Sequence, residues 1–203
     1  MTKDKLFIFE KFLFIGVLLG TLLGFWYFES SMLIKTSATI LVLIGLFMIF
    51  KKSKNQLNLL NSQFELASIL SVYLGVFSLY NFIYSINFPI YIVMVMILIL
   101  VTITAFTTLS MDRINESLNK ELFYSFILLM GLIVTEVFLS LYFWPINVEI
   151  KSLVLVVVFY QIMTLIYLYV RSMLRLNKIA GFLIVNFLIL VIVFWSLWPK
   201  LPG

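Results

Sequence analysis

In 203 residues the chain has no cysteine and no histidine; 64% of it is hydrophobic, 17% aromatic and 11% charged, with a formal net charge of +5. An ordinary soluble domain is about a quarter charged, so this composition excludes one, and the missing Cys and His remove disulfides, thiolate and imidazole catalysis, haem axial histidines and the usual zinc ligands. The basic residues stand singly or in short groups between apolar runs rather than along one soluble face, which argues against nucleic acid as a partner and leaves the lipid bilayer.

A bilayer core of about 30 Å takes about 20 apolar residues in a helix rising 1.5 Å each. Seven stretches qualify, and the expected class is an all-α integral membrane protein of seven transmembrane helices. The first, Phe12 to Phe28, follows the positive start "MTKDKLFIFEK", which resembles that of a signal peptide. No small-residue cleavage site follows "GTLLGFWYFESS", so an uncleaved anchor is expected, with Leu6 to Phe9 either in the interface or extending the helix. Gly16, Gly20 and Gly24 are four apart on one face, a ridge that lets another helix come close where hydrophobic burial no longer drives association.

The second stretch, Met32 to Phe50, contains Lys35 near one end, which must snorkel. The third, Phe64 to Ile86, repeats the small-residue device with Ser68, Ser71, Gly75, Ser78 and Ser85, interrupted by Phe82. The first and third helices are therefore expected to be central. Tight intramolecular packing is the plain reading of both motifs and a homodimer seam the sharper one. The fourth, Ile90 to Leu109, carries Thr102, Thr104, Thr107 and Thr108, which can bond their own helix backbone and do not diagnose a pore.

The last three stretches, Leu122 to Trp144, Leu153 to Val170 and Ile179 to Trp198, each carry a strongly polar residue at depth. Glu136 lies 8 residues before Trp144, about 12 Å below the interface; Gln161 is about 15 Å and Asn186 about 18 Å deep. If the three helices are neighbours, these groups can meet. Tyr160, Thr164 and Tyr167 follow at i, i+4 and i+7, and Ser140 is one turn from Glu136, so hydroxyls are at hand to complete a ligand-binding or proton-exchanging pocket. An acidic residue near the bilayer centre costs about 2.5–3.5 kcal/mol on insertion scales, which a partner, water or protonation must offset. The plainer reading makes Glu136 interhelical glue to Gln161 or Asn186, worth about 0.6 kcal/mol per bond.

With the N-terminus cytoplasmic, eleven of the 14 Lys and Arg fall on the inner side, leaving Lys35, Lys151 and Lys200 outside. That bias supports seven spans with the C-terminus outside. Trp26, Trp144, Trp195 and Trp198 cluster near the same outer ends, as do all four prolines. The longest loops run to about a dozen residues, so residues 1–203 are expected to form a single polytopic domain with no soluble domain. Seven spans also divide as three, one linker and three, a parallel repeat of the kind found in some small carriers, although few residues match between the halves.

Enzymatic chemistry is disfavoured, because no second carboxylate lies at the depth of Glu136 and the only aspartates are Asp4 and Asp112. Asp112, Glu116 and Glu121 are interspersed with Arg113 and Lys120, as in a solvated loop rather than a metal site. Phosphate-cradling glycine motifs are missing, and the seventh stretch has no lysine for a retinal Schiff base. No metal or cofactor is expected. Two function classes remain: a small carrier or membrane-embedded binding protein for a small solute or lipid, with its polar site around Glu136, and a non-catalytic scaffold or accessory subunit of a larger membrane complex.

Overall fold

Apolar runs of about twenty residues leave a backbone in lipid no hydrogen-bond partner but itself, and helix follows. The computed structural model describes residues 3–50, 57–111 and 119–170, together with 184 and 191. Among these the chain forms six α-helices and no strand: α1 (Lys3–Phe28), α2 (Met32–Phe50), α3 (Leu57–Ile86), α4 (Ile90–Met111), α5 (Lys120–Tyr142) and α6 (Val148–Val170). Five of them are long and apolar enough to cross a membrane, and Met32–Ile44 of α2 is a shorter apolar stretch. The expected seventh span, Ile179 to Trp198, and the Asp112 and Glu116 carboxylates lie outside the described residues.

Short turns join α1 to α2, α3 to α4 and α5 to α6 at one end of the bundle. After α1 the Ser31 N–H donates to the Glu29 carboxylate (2.9 Å), and the Ser31 carbonyl takes the Lys35 N–H as α2 starts. After α3, Asn87 adopts φ 55°, the left-handed region that asparagine tolerates best after glycine, and Pro89 then opens α4 with its carbonyl accepting from Ile92 and Val93. α5 stops at Tyr142, two residues earlier than the hydropathy reading, because the residue before Pro145 is pushed out of helical backbone. α6 begins at Val148, five residues earlier than expected, with the Asn147 carbonyl receiving the Ile150 and Lys151 N–H groups. That extra turn draws Lys151 into the helix.

α3 is the central element. Two thirds (67%) of its apolar window is buried, against 28–39% for the other four long helices. It separates two packing clusters. On one side Leu18, Leu22 and Phe25 of α1 and Val42 of α2 meet Leu74 and Phe77; on the other Val72, Val76 and Tyr80 meet Val93, Ile97 and Val101 of α4, Met130, Val134 and Phe138 of α5, and Leu155 and Phe159 of α6.

Close helix approach falls at particular glycines. A Cβ on Gly75 would come within 2.5 Å of Leu100 Cδ2 on α4 and 2.9 Å of Thr21 Cγ2 on α1. One on Gly131 would meet Thr102 at 2.6 Å, and one on Gly24 would meet Ser78 at 3.0 Å. Gly16 and Gly20, by contrast, have nothing within 4 Å of that position and face outward; the ridge on α1 packs against α3 at Gly24 and not along its length. The threonines of α4 bond their own helix, as in Thr102 Oγ1 to the Leu98 carbonyl (2.7 Å) and Thr108 Oγ1 to the Thr104 carbonyl (2.7 Å).

Replacing Gly75 by Leu is expected to destabilise the bundle by about 1–3 kcal/mol through overpacking against two helices at once. Gly16→Leu should leave stability unchanged, a contrast that unfolding in mixed micelles reads directly.

Candidate functional site

The most deeply sequestered charge among the described residues is Lys151, 2% exposed. Its placement starts in the α5–α6 turn, since starting α6 at Val148 sets Lys151 one turn inside the helix, facing α3 and the end of α5. The ammonium donates to Tyr84 Oη at 2.6 Å and to the Tyr142 carbonyl at 3.2 Å. It also lies 5.5 Å and 5.1 Å from the ring centres of Tyr80 and Tyr84, within cation–π range.

This arrangement answers a backbone requirement. The last four carbonyls of a helix have no intrahelical donor, and the helix end carries partial negative charge. Tyr142 closes α5, and its carbonyl receives the Lys151 ammonium and, at 3.3 Å, the Tyr84 hydroxyl. One turn back, the Tyr80 hydroxyl donates to the Phe138 carbonyl (3.0 Å) while its ring packs on Phe138 at 4.3 Å. Side chains of α3 and α6 thus terminate α5, and the helix end in turn compensates the cation. Among the described residues no carboxylate takes part. Sequence reasoning put Lys151 outside the spans, on the outer side; the available signal was the Tyr80 and Tyr84 pair at i, i+4 beside a lysine that opens an apolar run.

The residues singled out for a polar pocket around Glu136 are not brought together. Glu136 is exposed, on the same side of α5 as Leu129, Leu132 and Ser140. Helical phase is the reason: Glu136 is two residues, about 200°, from both Val134 and Phe138, which are fully buried toward the core. Ser140 donates to the Glu136 backbone carbonyl at 3.0 Å, not to its carboxylate. Gln161 is half-buried on α6, and neither side chain has a hydrogen-bond partner among the described residues. Asn186 lies outside the described residues.

Tyr160 and Thr164, with Tyr167, instead line a small groove between α6 and α3, whose other polar walls are Glu65 and Ser68. Local bonds hold its rim: Thr164 Oγ1 donates to the Tyr160 carbonyl (2.9 Å) and Ser68 Oγ to the Glu65 carbonyl (2.7 Å). Of the small packing residues, Gly24, Gly75 and Ser78 sit in the helix contacts of α3, Ser78 donating to the Leu74 carbonyl at 2.7 Å. Ser71 is fully buried, and its hydroxyl has no hydrogen-bond partner among the described residues.

Five long apolar helices, one of them central to the others, with a lysine satisfied inside the bundle, define an α-helical membrane protein. Within that class the chain belongs to the family DUF5656, whose description reads "Protein of unknown function" and whose model matches residues 12–196. No curated protein and no solved structure matches it.

Lys151→Ala is expected to destabilise the protein by about 2–3 kcal/mol, because it leaves the Tyr142 carbonyl without its charged donor and opens a void beside Tyr80. Tyr84→Phe should cost about 1 kcal/mol. Since the two side chains share one acceptor, a double-mutant cycle should return a coupling of about 0.5–1 kcal/mol rather than simple additivity.

Proposed function

We propose that this protein is a non-catalytic scaffold or accessory subunit of the cell membrane, a single polytopic domain of seven spans with its N-terminus cytoplasmic, which docks on a larger membrane complex through the face of α5 that carries Glu136. The observation that carries the reading is the exposure of Glu136 on an apolar helix face, six residues inside the end of α5 and so about 9 Å from it. Left against acyl chains that carboxyl is expensive, and a short-stemmed side chain cannot snorkel so far. A docked helix removes the cost. The neighbouring surface suits such a contact: Leu132 and Leu129 are both about half exposed (51% and 52%) and continue the face by one and two turns.

A carrier or binding protein for a small solute or lipid is the second reading. It draws support from the groove lined by Glu65, Ser68, Tyr160, Thr164 and Tyr167, in which a carboxyl and hydroxyl-bearing side chains of two helices stand together. In that case the working carboxyl is Glu65 rather than Glu136.

Glu136→Leu separates the two readings. The docking role predicts that the isolated chain keeps or gains thermal stability in detergent while the larger assembly seen on native gels of solubilised membranes disappears. The carrier role predicts an intact assembly state and loss of solute uptake with Glu65→Gln instead. For the topology, the natural absence of cysteine allows single-site labelling without background. Asn147→Cys should react with an impermeant maleimide added outside intact cells, and Asn119→Cys only after permeabilisation.

A further inference from the structure

The chemistry of the Glu136 face also specifies what it receives. Resting on the docking reading above, we infer that Glu136 pairs with the guanidinium or ammonium of an Arg or Lys buried in a membrane-spanning helix of a different protein, and not with a second copy of this chain.

Three observations converge on a cationic helix. First, a carboxylate is an acceptor only, with two oxygens to satisfy, and the one polar side chain beside it on the face, Ser140, already gives its hydrogen to the Glu136 backbone carbonyl at 3.0 Å. The donors must come from outside. Second, a charged donor satisfies both oxygens and cancels the charge, and the guanidinium fork does so with two parallel bonds. Ser140 is small and sits one turn away, which leaves room for a long basic side chain to lie along the face. Third, this chain has no such cation at the level of Glu136 to lend to a copy of itself among the described residues. Lys3, Lys5 and Lys11 lie in the first turns of α1, at the end of the bundle away from the short turns, whereas Glu136 is six residues from the α5 end that meets them. Lys151 is committed to Tyr84 and Tyr142. Lys35 stands over the Trp26 ring at 5.5 Å, near the start of α2. Lys120 is sixteen residues along α5 from Glu136, about 24 Å away. A two-fold pairing of copies through α5 sets like against like.

The test uses the full chain in phosphatidylcholine vesicles and leucine-rich host helices of about 23 residues, long enough to span the bilayer. Each host peptide carries Arg, Gln, Glu or Leu at one site level with Glu136, and association is read by energy transfer between labels. The Arg peptide should bind about tenfold more tightly than the Gln, Glu or Leu peptides, as a charge-assisted pair in lipid requires. Glu136→Gln should erase that preference, and moving the Arg by two positions to the opposite face of the host helix should do the same. Equal binding of the Arg and Leu peptides, or an Arg preference that survives Glu136→Gln, overturns the inference. Equal binding of Arg and Gln peptides, both lost in Glu136→Leu, overturns the charge pairing while leaving the docking reading standing. Glu136-dependent association of differently labelled copies, undisturbed by the Arg peptide, also overturns it and assigns the face to a second copy.

Discussion

The bond between the Lys151 ammonium and the Tyr142 carbonyl joins the two demands that a low-dielectric surrounding makes on a chain. A helix that ends inside such a surrounding leaves carbonyls without donors, and a lysine drawn into it leaves a cation without solvent. Each is a liability alone. Placed 3.2 Å apart they satisfy one another, and the hydroxyls and rings of Tyr80 and Tyr84 complete the set. The result ties α3, α5 and α6 together at the end of the bundle that carries the short turns, so the angle at which α5 meets α3 is set by polar geometry as well as by apolar packing.

That knot has a consequence for the rest of α5. With Phe138 held under Tyr80 and Tyr142 at the bond, the rotation of the helix about its axis is determined, and Met130, Val134 and Phe138 must face the core. A helix so clocked turns Glu136 outward. Burying Glu136 instead would expose Phe138 and break three hydrogen bonds to the α5 backbone. Lys151 is therefore satisfied within the chain, and Glu136 is presented at its surface.

Legibility in the sequence varied by kind of feature. Helical spans were visible because hydrophobic run length is a local property, and the bounds of α2 agree with the hydropathy reading residue for residue. The ends at the α1–α2 and α3–α4 turns also agree, but those at the α5–α6 turn were displaced, by two residues at Tyr142 and by five at Val148, because the turn around Pro145 and the carbonyl of Asn147 decide them. The polar residues were visible as anomalies of composition, but their grouping was not. Glu136 and Gln161 looked alike in depth, and depth along a helix says nothing about rotation around it. Tyr160 and Thr164 were chosen as companions of Glu136 and stand instead beside Glu65, which the sequence reading did not single out.

By itself the sequence determined the class of the protein, since composition and run length alone oblige a chain this apolar to bury helices in lipid, and it marked which side chains would be costly there. It also placed tyrosines one turn apart on α3 and a lysine at the head of α6. Tertiary structure alone decided which of those polar groups would meet. Two hydrogen-bond partners 67 residues apart, Tyr84 and Lys151, are joined only when α3 and α6 pack at a particular rotation. That rotation is chosen by the summed contacts of the whole core rather than by any local pattern of residues.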